Sequence, residues 1–286
     1  MGTILKDFLL LHILTNIEKK RIKLDINNGE IHHTSMIHNA TEVAEHYETL
    51  CELQSINDGL LRDFDHKDNS IRENLNSVAD KYYQNYPSLI EMKKHLSSNS
   101  SLGINELKEK ITEIEFIELN RRDKVLDDPY EHFELNKKFE QEIEYPSGIK
   151  KSYIVTGGSR IARGLTLQGL TITCFTRRAN KPNLDTMSQM ARWCGYRAGY
   201  GELVRILTTR QIAEDYHSIY EAEAHMRMQI ERLKDDSDPI KDVIWIQNLG
   251  QLKISGRLPT KEFRKHLSGF GDFIAENTWT HYPPEL

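Results

Sequence analysis

Residues 152–209 read SYIVTGGSRIARGLTLQGLTITCFTRRANKPNLDTMSQMARWCGYRAGYGELVRILTT, and this stretch decides the fold. An apolar run, Tyr153 to Val155, is short enough for a strand and ends in the turn Gly157-Gly158. A second apolar run, Leu170 to Phe175, ends at the doublet Arg177-Arg178. The loop Asn180 to Asn183 follows, then a short helical segment carrying Gln189, Arg192 and Arg197, and then a third strand, Leu203 to Leu207. Strand, glycine turn, strand, helix and strand make an α/β unit. Its arginines fall where strands end, so the unit is expected to aim guanidinium groups at one sheet edge, an arrangement suited to an anion. Gly195 and Gly199 predict that the helix stops between Arg192 and Arg197.

Charge supports that expectation. Between Lys150 and Arg210 eleven Lys and Arg face two acids, a net charge of +9; the whole chain carries −5, so the remainder carries −14. A basic segment on an acidic scaffold is what a phosphate-facing surface requires. Few acids stand near these arginines in sequence, which argues against local salt bridges as their purpose.

The remaining composition narrows the class. The chain has 286 residues, 38% hydrophobic and 28% charged, enough for one large domain with an insertion. The apolar run Ile4 to Ile17 is interrupted by Lys6, Asp7 and His12, too short and polar for a membrane span and without a cleavage signal. We expect an amphipathic helix, Thr3 to about Lys23, in a cytoplasmic protein with no membrane partner. Cys51, Cys174 and Cys194 lie far apart, with no CxxC and no Cys/His cluster, so reduced core thiols are expected and no metal site.

Upstream of the opening stretch, strands are predicted at His32–His38 and Ile114–Leu119, with Asn39 as N-cap of a helix over Thr41–Leu53. Residues 54–111 read as a helical insertion, and 112–235 as the continuation of the lobe begun by 1–53. After residue 209 the Thr208-x-x-Gln211 capping box opens a long helix with Ile212, Tyr216, Ile219, Met226, Ile230 and Leu233 on one stripe. Residues 236–286 form a C-terminal extension.

Two motifs then point to a family. VTGGSRIARGLTLQGLTI resembles motif V of superfamily-two helicases and translocases, and QMARWCGYRAGY resembles motif VI, which carries the arginine finger. The closer resemblance is to the Z-one (Z1) domain family, to which an endonuclease activity is attributed. Its GG-x-x-x-x-RGLT loop stands here as Gly157-Gly158 and Arg163-Gly164-Leu165-Thr166, and its QM-x-RW-x-GYR-x-GY helix as Gln189 to Tyr200. His33 to Ala40, HTSMIHNA, is similar to the motif IV strand and turn. Thr166 replaces the helicase Asp, and Ala191 stands where the family often has Gly.

The resemblance implies a helicase-type RecA-like α/β lobe with a mainly parallel sheet, a helical insertion and a C-terminal extension. It implies arginine-finger roles for Arg192 and Arg197. It further implies nucleotide contacts for Arg163, Gly164, Thr166 and Gln189, and nucleic-acid contacts for Thr156, Gly157, Gly158, Arg177 and Arg178. The partners implied are DNA or RNA and an N-terminal ATPase lobe, in cis or in trans. The sequence contains no GxxxxGK[ST] loop and no paired-acid metal strand, so ATP and Mg²⁺ are expected only in a complete two-lobe enzyme. The chain is accordingly expected to be a fragment or a split gene product.

Nuclease chemistry needs converging carboxylates, usually with a Lys. Asp127-Asp128 with Glu131, and Glu142 with Glu144 and Lys150, lack the required spacing, and His66-Lys67-Asp68 does not fit an HxK site. His32, His33 and His38 are expected as packed or edge histidines. The alternatives to a motor lobe are a non-catalytic nucleic-acid or protein binding module and a nuclease component of a DNA-processing or defence system.

Overall fold

The computed structural model describes residues 2–22, 32–39, 42–64, 68–97, 102–119, 143–158, 161, 166–178, 184–190, 197 and 199–235. The chain divides into two compact units, Met1–Arg177 with Trp193–Leu207, and Arg178–Arg192 with Thr208–Leu286.

In the first unit the elements run α1 (Gly2–Arg21), β1 (His33–His38), α2 (Val43–Phe64), α3 (Asp68–Tyr82), α4 (Leu89–Leu96), α5 (Ile104–Thr112), β2 (Ile114–Leu119), β3 (Ser152–Gly157) and β4 (Leu170–Phe175). β5 (Arg205–Thr208) completes a five-stranded parallel sheet of order β2-β3-β1-β4-β5, and the fold is mixed α/β. β1 pairs in parallel with both β3 and β4, and β2 pairs in parallel with β3. Every residue of β1, β3 and β4 is buried, as parallel strands require when both faces are covered.

α1 was expected to be amphipathic, and here the structure differs. It is buried from Leu5 almost continuously to Lys19, packed against β1 and β4 and against α2, α3 and α5. Its polar residues form the stripe His12, Thr15, Asn16 and Lys19, spaced for one helix face. That stripe turns to the sheet. His12 bonds Ser35 at 2.7 Å and Ser152 at 2.9 Å; Thr15 lies 3.3 Å from Thr171, and Lys19 donates to the Gly169 carbonyl at 2.7 Å. Asn16 donates to Glu113 at 2.9 Å. Phe8, Leu9, Leu11, Ile13 and Leu14 occupy the rest of the helix, all without exposure, each contributing about 2 kcal/mol by burial.

Residues 54–111 share this core. Leu60, Phe64, Ile71, Leu75, Tyr83, Leu96, Leu107 and Ile111 belong to the same cluster as the α1 side chains. Asn39 lies four residues before the first helical residue of α2, and its amide donates to the Thr49 hydroxyl at 2.9 Å, so it is not the N-cap. The last strand begins two residues later than expected because Gly201–Leu203 form a 3₁₀ turn.

The described part of the second unit holds α6 (Leu184–Met190) and α7 (Arg210–Asp235). α7 begins one residue later than the capping box predicted. Thr209, not Thr208, accepts a bond from the Ile212 N–H at 3.3 Å. Ile212 and Ile219 are buried, and the Tyr216 hydroxyl donates to the Met187 carbonyl at 3.3 Å. No helix among the described residues is long and apolar enough to cross a membrane.

Candidate functional site

The sheet order itself singles out one place. From central β1 the chain leaves toward β2 on one side, and from its neighbour β4 it leaves toward β5 on the other. Strand ends that part in this way open a crevice at their carboxyl termini, where parallel α/β sheets bind ligands. The residues there are His38 at the end of β1 and Phe175 to Arg177 at the end of β4, with Gly157 at the end of β3 and Gly158 just after it.

His38 organises the group. Its ring is fully buried and lies parallel to Phe175, with centroids 5.6 Å apart and an interplanar angle of 1°. Nδ1 is 2.8 Å from the Gly157 carbonyl oxygen, and Nε2 is 3.4 Å from Arg177 Nη1. A carbonyl can only accept, so the proton sits on Nδ1 and the Nε2 lone pair accepts from Arg177. Burial pushes the His38 pKa down to about 4, opposed by the bond to Gly157 and reinforced by the neighbouring Arg177 and His46 charges. The ring is therefore neutral at physiological pH.

Gly157 is required here by space. A Cβ on it would stand 2.1 Å from the Leu119 carbonyl oxygen of the adjacent strand. Gly158 is half-buried, and a Cβ there would come within 3.6 Å of His46 Cε1, on the first turn of α2.

Thr156 is fully buried, on the sheet face it shares with Ser152. Thr166 is exposed; Arg197 is half-buried, and its carbonyl accepts from the Tyr200 N–H at 3.4 Å. Gln189 is exposed on α6, in the other unit. Arg163, Gly164 and Arg192 lie outside the described residues, as do Cys194 and the acids Asp127, Asp128, Glu131 and Glu142. The structure thus brings together Gly157, Gly158 and Arg177, with His38, His46 and Phe175, which the sequence reading did not assign to a site. The HTSMIHNA motif was the signal available for His38.

Several basic residues of the +9 segment are already committed. Arg178 grips Asp215 of α7 with two bonds, 2.6 and 3.2 Å. Lys151 pairs with Glu115, and Arg210 with Glu214. Arg205 donates to the Tyr82 carbonyl at 2.6 Å and stacks 3.9 Å over the Tyr83 ring. The shortage of sequence-local acids did not mean a shortage of partners.

Comparison with known proteins bears on this arrangement. The model of the Z1 domain family matches residues 4–247. The chain belongs to the Z1 domain family. No curated protein and no solved structure matches it. In this Z1 chain the matched region takes in the whole sheet, the carboxyl-edge cluster and both motifs.

Of the groups at this edge, the Arg177 guanidinium is the one with N–H donors to offer an anion, since both nitrogens of His38 are engaged. A hard divalent cation needs oxygen ligands, and among the described residues there is no group of three or more His, Cys, Asp or Glu that could hold one. Cys51 and Cys174 are not joined in disulfides, and burial pushes the Cys174 thiol up to about 11, which disfavours its thiolate.

Proposed function

We propose that this chain is a helicase-type RecA-like lobe, the second, arginine-bearing half of a nucleic-acid-dependent ATPase or translocase. Its partner in that reading is a lobe that carries the phosphate loop and holds ATP and Mg²⁺. The observation that supports it is the switch-point edge, where Gly157, Gly158 and Arg177 meet at the ends of parallel strands. The RGLT loop and the QMARWCGYRAGY segment flank those strands in sequence. Phosphoryl transfer is mostly positioning and charge stabilisation, so a lobe can contribute guanidinium groups without holding the metal. In this reading Arg192 and Arg197 reach the γ-phosphate, Arg163, Gly164, Thr166 and Gln189 contact the nucleotide, and the Gly157-Gly158 loop with Arg177 follows the nucleic-acid strand.

The test is reconstitution. With a phosphate-loop lobe supplied in cis or in trans, ATP hydrolysis stimulated by DNA or RNA is expected to appear. Arg192→Ala and Arg197→Ala should each lower kcat by about 10³-fold. Reconstituted hydrolysis that neither substitution changes would refute the arginine-finger roles. The absence of a GxxxxGK[ST] loop in the sequence favours a second reading, a non-catalytic nucleic-acid-binding module. Its signature is salt-dependent oligonucleotide binding with no ATPase in any combination of lobes.

A further inference from the structure

We infer that Arg177 is the phosphate-binding member of the arginine doublet, that His38 is its positioning residue, and that Arg178 takes no part in the contact. This rests on the reading above and assigns roles that the sequence motif leaves merged.

The two arginines are adjacent but anchored differently. Arg178 meets a carboxylate, Asp215, itself only 6% exposed, through both Nε and Nη2. Its charge is compensated and its fork is occupied. Arg177 meets a neutral imidazole. Among the described residues His38 is its hydrogen-bond partner, engaging one terminal nitrogen at 3.4 Å. A neutral acceptor fixes the guanidinium without cancelling its charge, and four further N–H donors remain for a ligand. An arginine held in this way is prepared for a bidentate oxyanion.

The holder is itself rigid. His38 is clamped on three sides, by the Gly157 carbonyl at 2.8 Å, the Phe175 ring and Arg177. Its protonation would place a second positive charge against Arg177, and burial opposes that. The location adds the last element. Arg177 follows the end of β4, beside β1, at the point where the two strands' continuations part. The ligand chemistry is a phosphate oxyanion, and its source is either a phosphodiester backbone or a nucleotide.

The experiment uses the full chain and three probes: a single-stranded oligonucleotide, its duplex, and ATP with Mg²⁺. Affinities are measured as a function of salt. Arg177→Gln should lower affinity about tenfold and, for an oligonucleotide, flatten the salt slope by about one. Loss on the oligonucleotides identifies the backbone as the source, and loss on ATP identifies the nucleotide. Arg178→Gln should leave affinity and slope unchanged.

Substitutions of His38 separate positioning from packing. His38→Gln places an amide oxygen near the Nε2 position and should stay within about twofold of the parent; His38→Asn keeps only the donor to Gly157 and should lose about fivefold. A merely structural histidine would make the two variants behave alike. If Arg177→Gln does not fold, Arg177→Lys, which keeps the charge and loses the fork, should show the same direction at smaller size. Unchanged affinity and slope in a folded Arg177 variant for every probe would overturn the inference, as would an equal slope loss in Arg178→Gln. If the parent chain binds none of the probes, the functional reading itself fails and the inference with it.

Discussion

The sheet has two polar ends, and they are built on different plans. Beneath α1, toward the amino ends of the strands, His12 is closed in by two serine hydroxyls, and Lys19 by the Gly169 carbonyl and, 4.5 Å away, the Tyr200 ring. At the carboxyl ends, the second nitrogen of His38 accepts from a half-buried arginine at the sheet edge. The same residue type therefore serves as filler at one end and as a bracket at the other. Burial does not separate the two, since His12 and His38 are equally inaccessible. What separates them is whether the hydrogen-bond chain ends inside the protein or at its edge.

This contrast can be broken at the glycines first. In Gly169→Ala the new Cβ would lie 1.5 Å from the His32 carbonyl oxygen at a φ of +66°, a clash added to backbone strain. We expect a loss of about 4 kcal/mol in urea denaturation. Gly157→Ala meets the Leu119 carbonyl oxygen at 2.1 Å and should cost somewhat less, about 3 kcal/mol. Only the Gly157 variant should also weaken oligonucleotide binding, because the Gly157 carbonyl holds His38.

Next, His12→Ala removes a fully buried ring together with its bonds to the hydroxyls of Ser35 and Ser152, of which Ser152 keeps the one from Asn16. A loss of about 3 kcal/mol is expected, with oligonucleotide affinity per folded molecule unchanged. A fall in affinity comparable to that of Arg177→Gln would show that the two ends are coupled.

The smallest effect concerns pH. Burial lowers His12 from the ordinary 6.5 to about 3, reinforced by the nearby Lys19 charge, and lowers His38 to about 4. Below pH 6.5 the unfolded chain takes up protons that the folded rings refuse. The stabilisation is thus complete above that pH and is lost as pH falls toward the folded values. Each ring should contribute a slope of at most about 1.4 kcal/mol per pH unit. Urea midpoints measured between pH 7 and pH 5 should fall less steeply in His38→Gln than in the parent; equal slopes would mean that His38 is not held neutral.

Sequence reading located the strands well, because short runs rich in apolar residues, such as Leu170–Phe175 between Gly169 and Arg177, are bounded by glycine or charge. It misjudged α1, because burial on all sides leaves no outward polar face, and the polar stripe it does have is spent on the sheet. At the site, Gly157 and Arg177 were visible as residue types at strand ends. The role of His38 was not, since its partners come from β3 and β4 and depend on the strand order. The pairing of Arg178 was equally hidden, because Asp215 stands 37 residues further on.

The layout of α1 has a consequence for synthesis. The helices that cover it follow it in the chain, and its sheet cannot close until β3 and β4 have been made. The His38–Gly157 contact alone spans 119 positions. While the ribosome supplies the interval, a helix with Leu9, Leu10, Leu11, Ile13 and Leu14 has no permanent cover. Such a nascent chain is a natural client for chaperones, and its non-local strand pairing makes for slow folding.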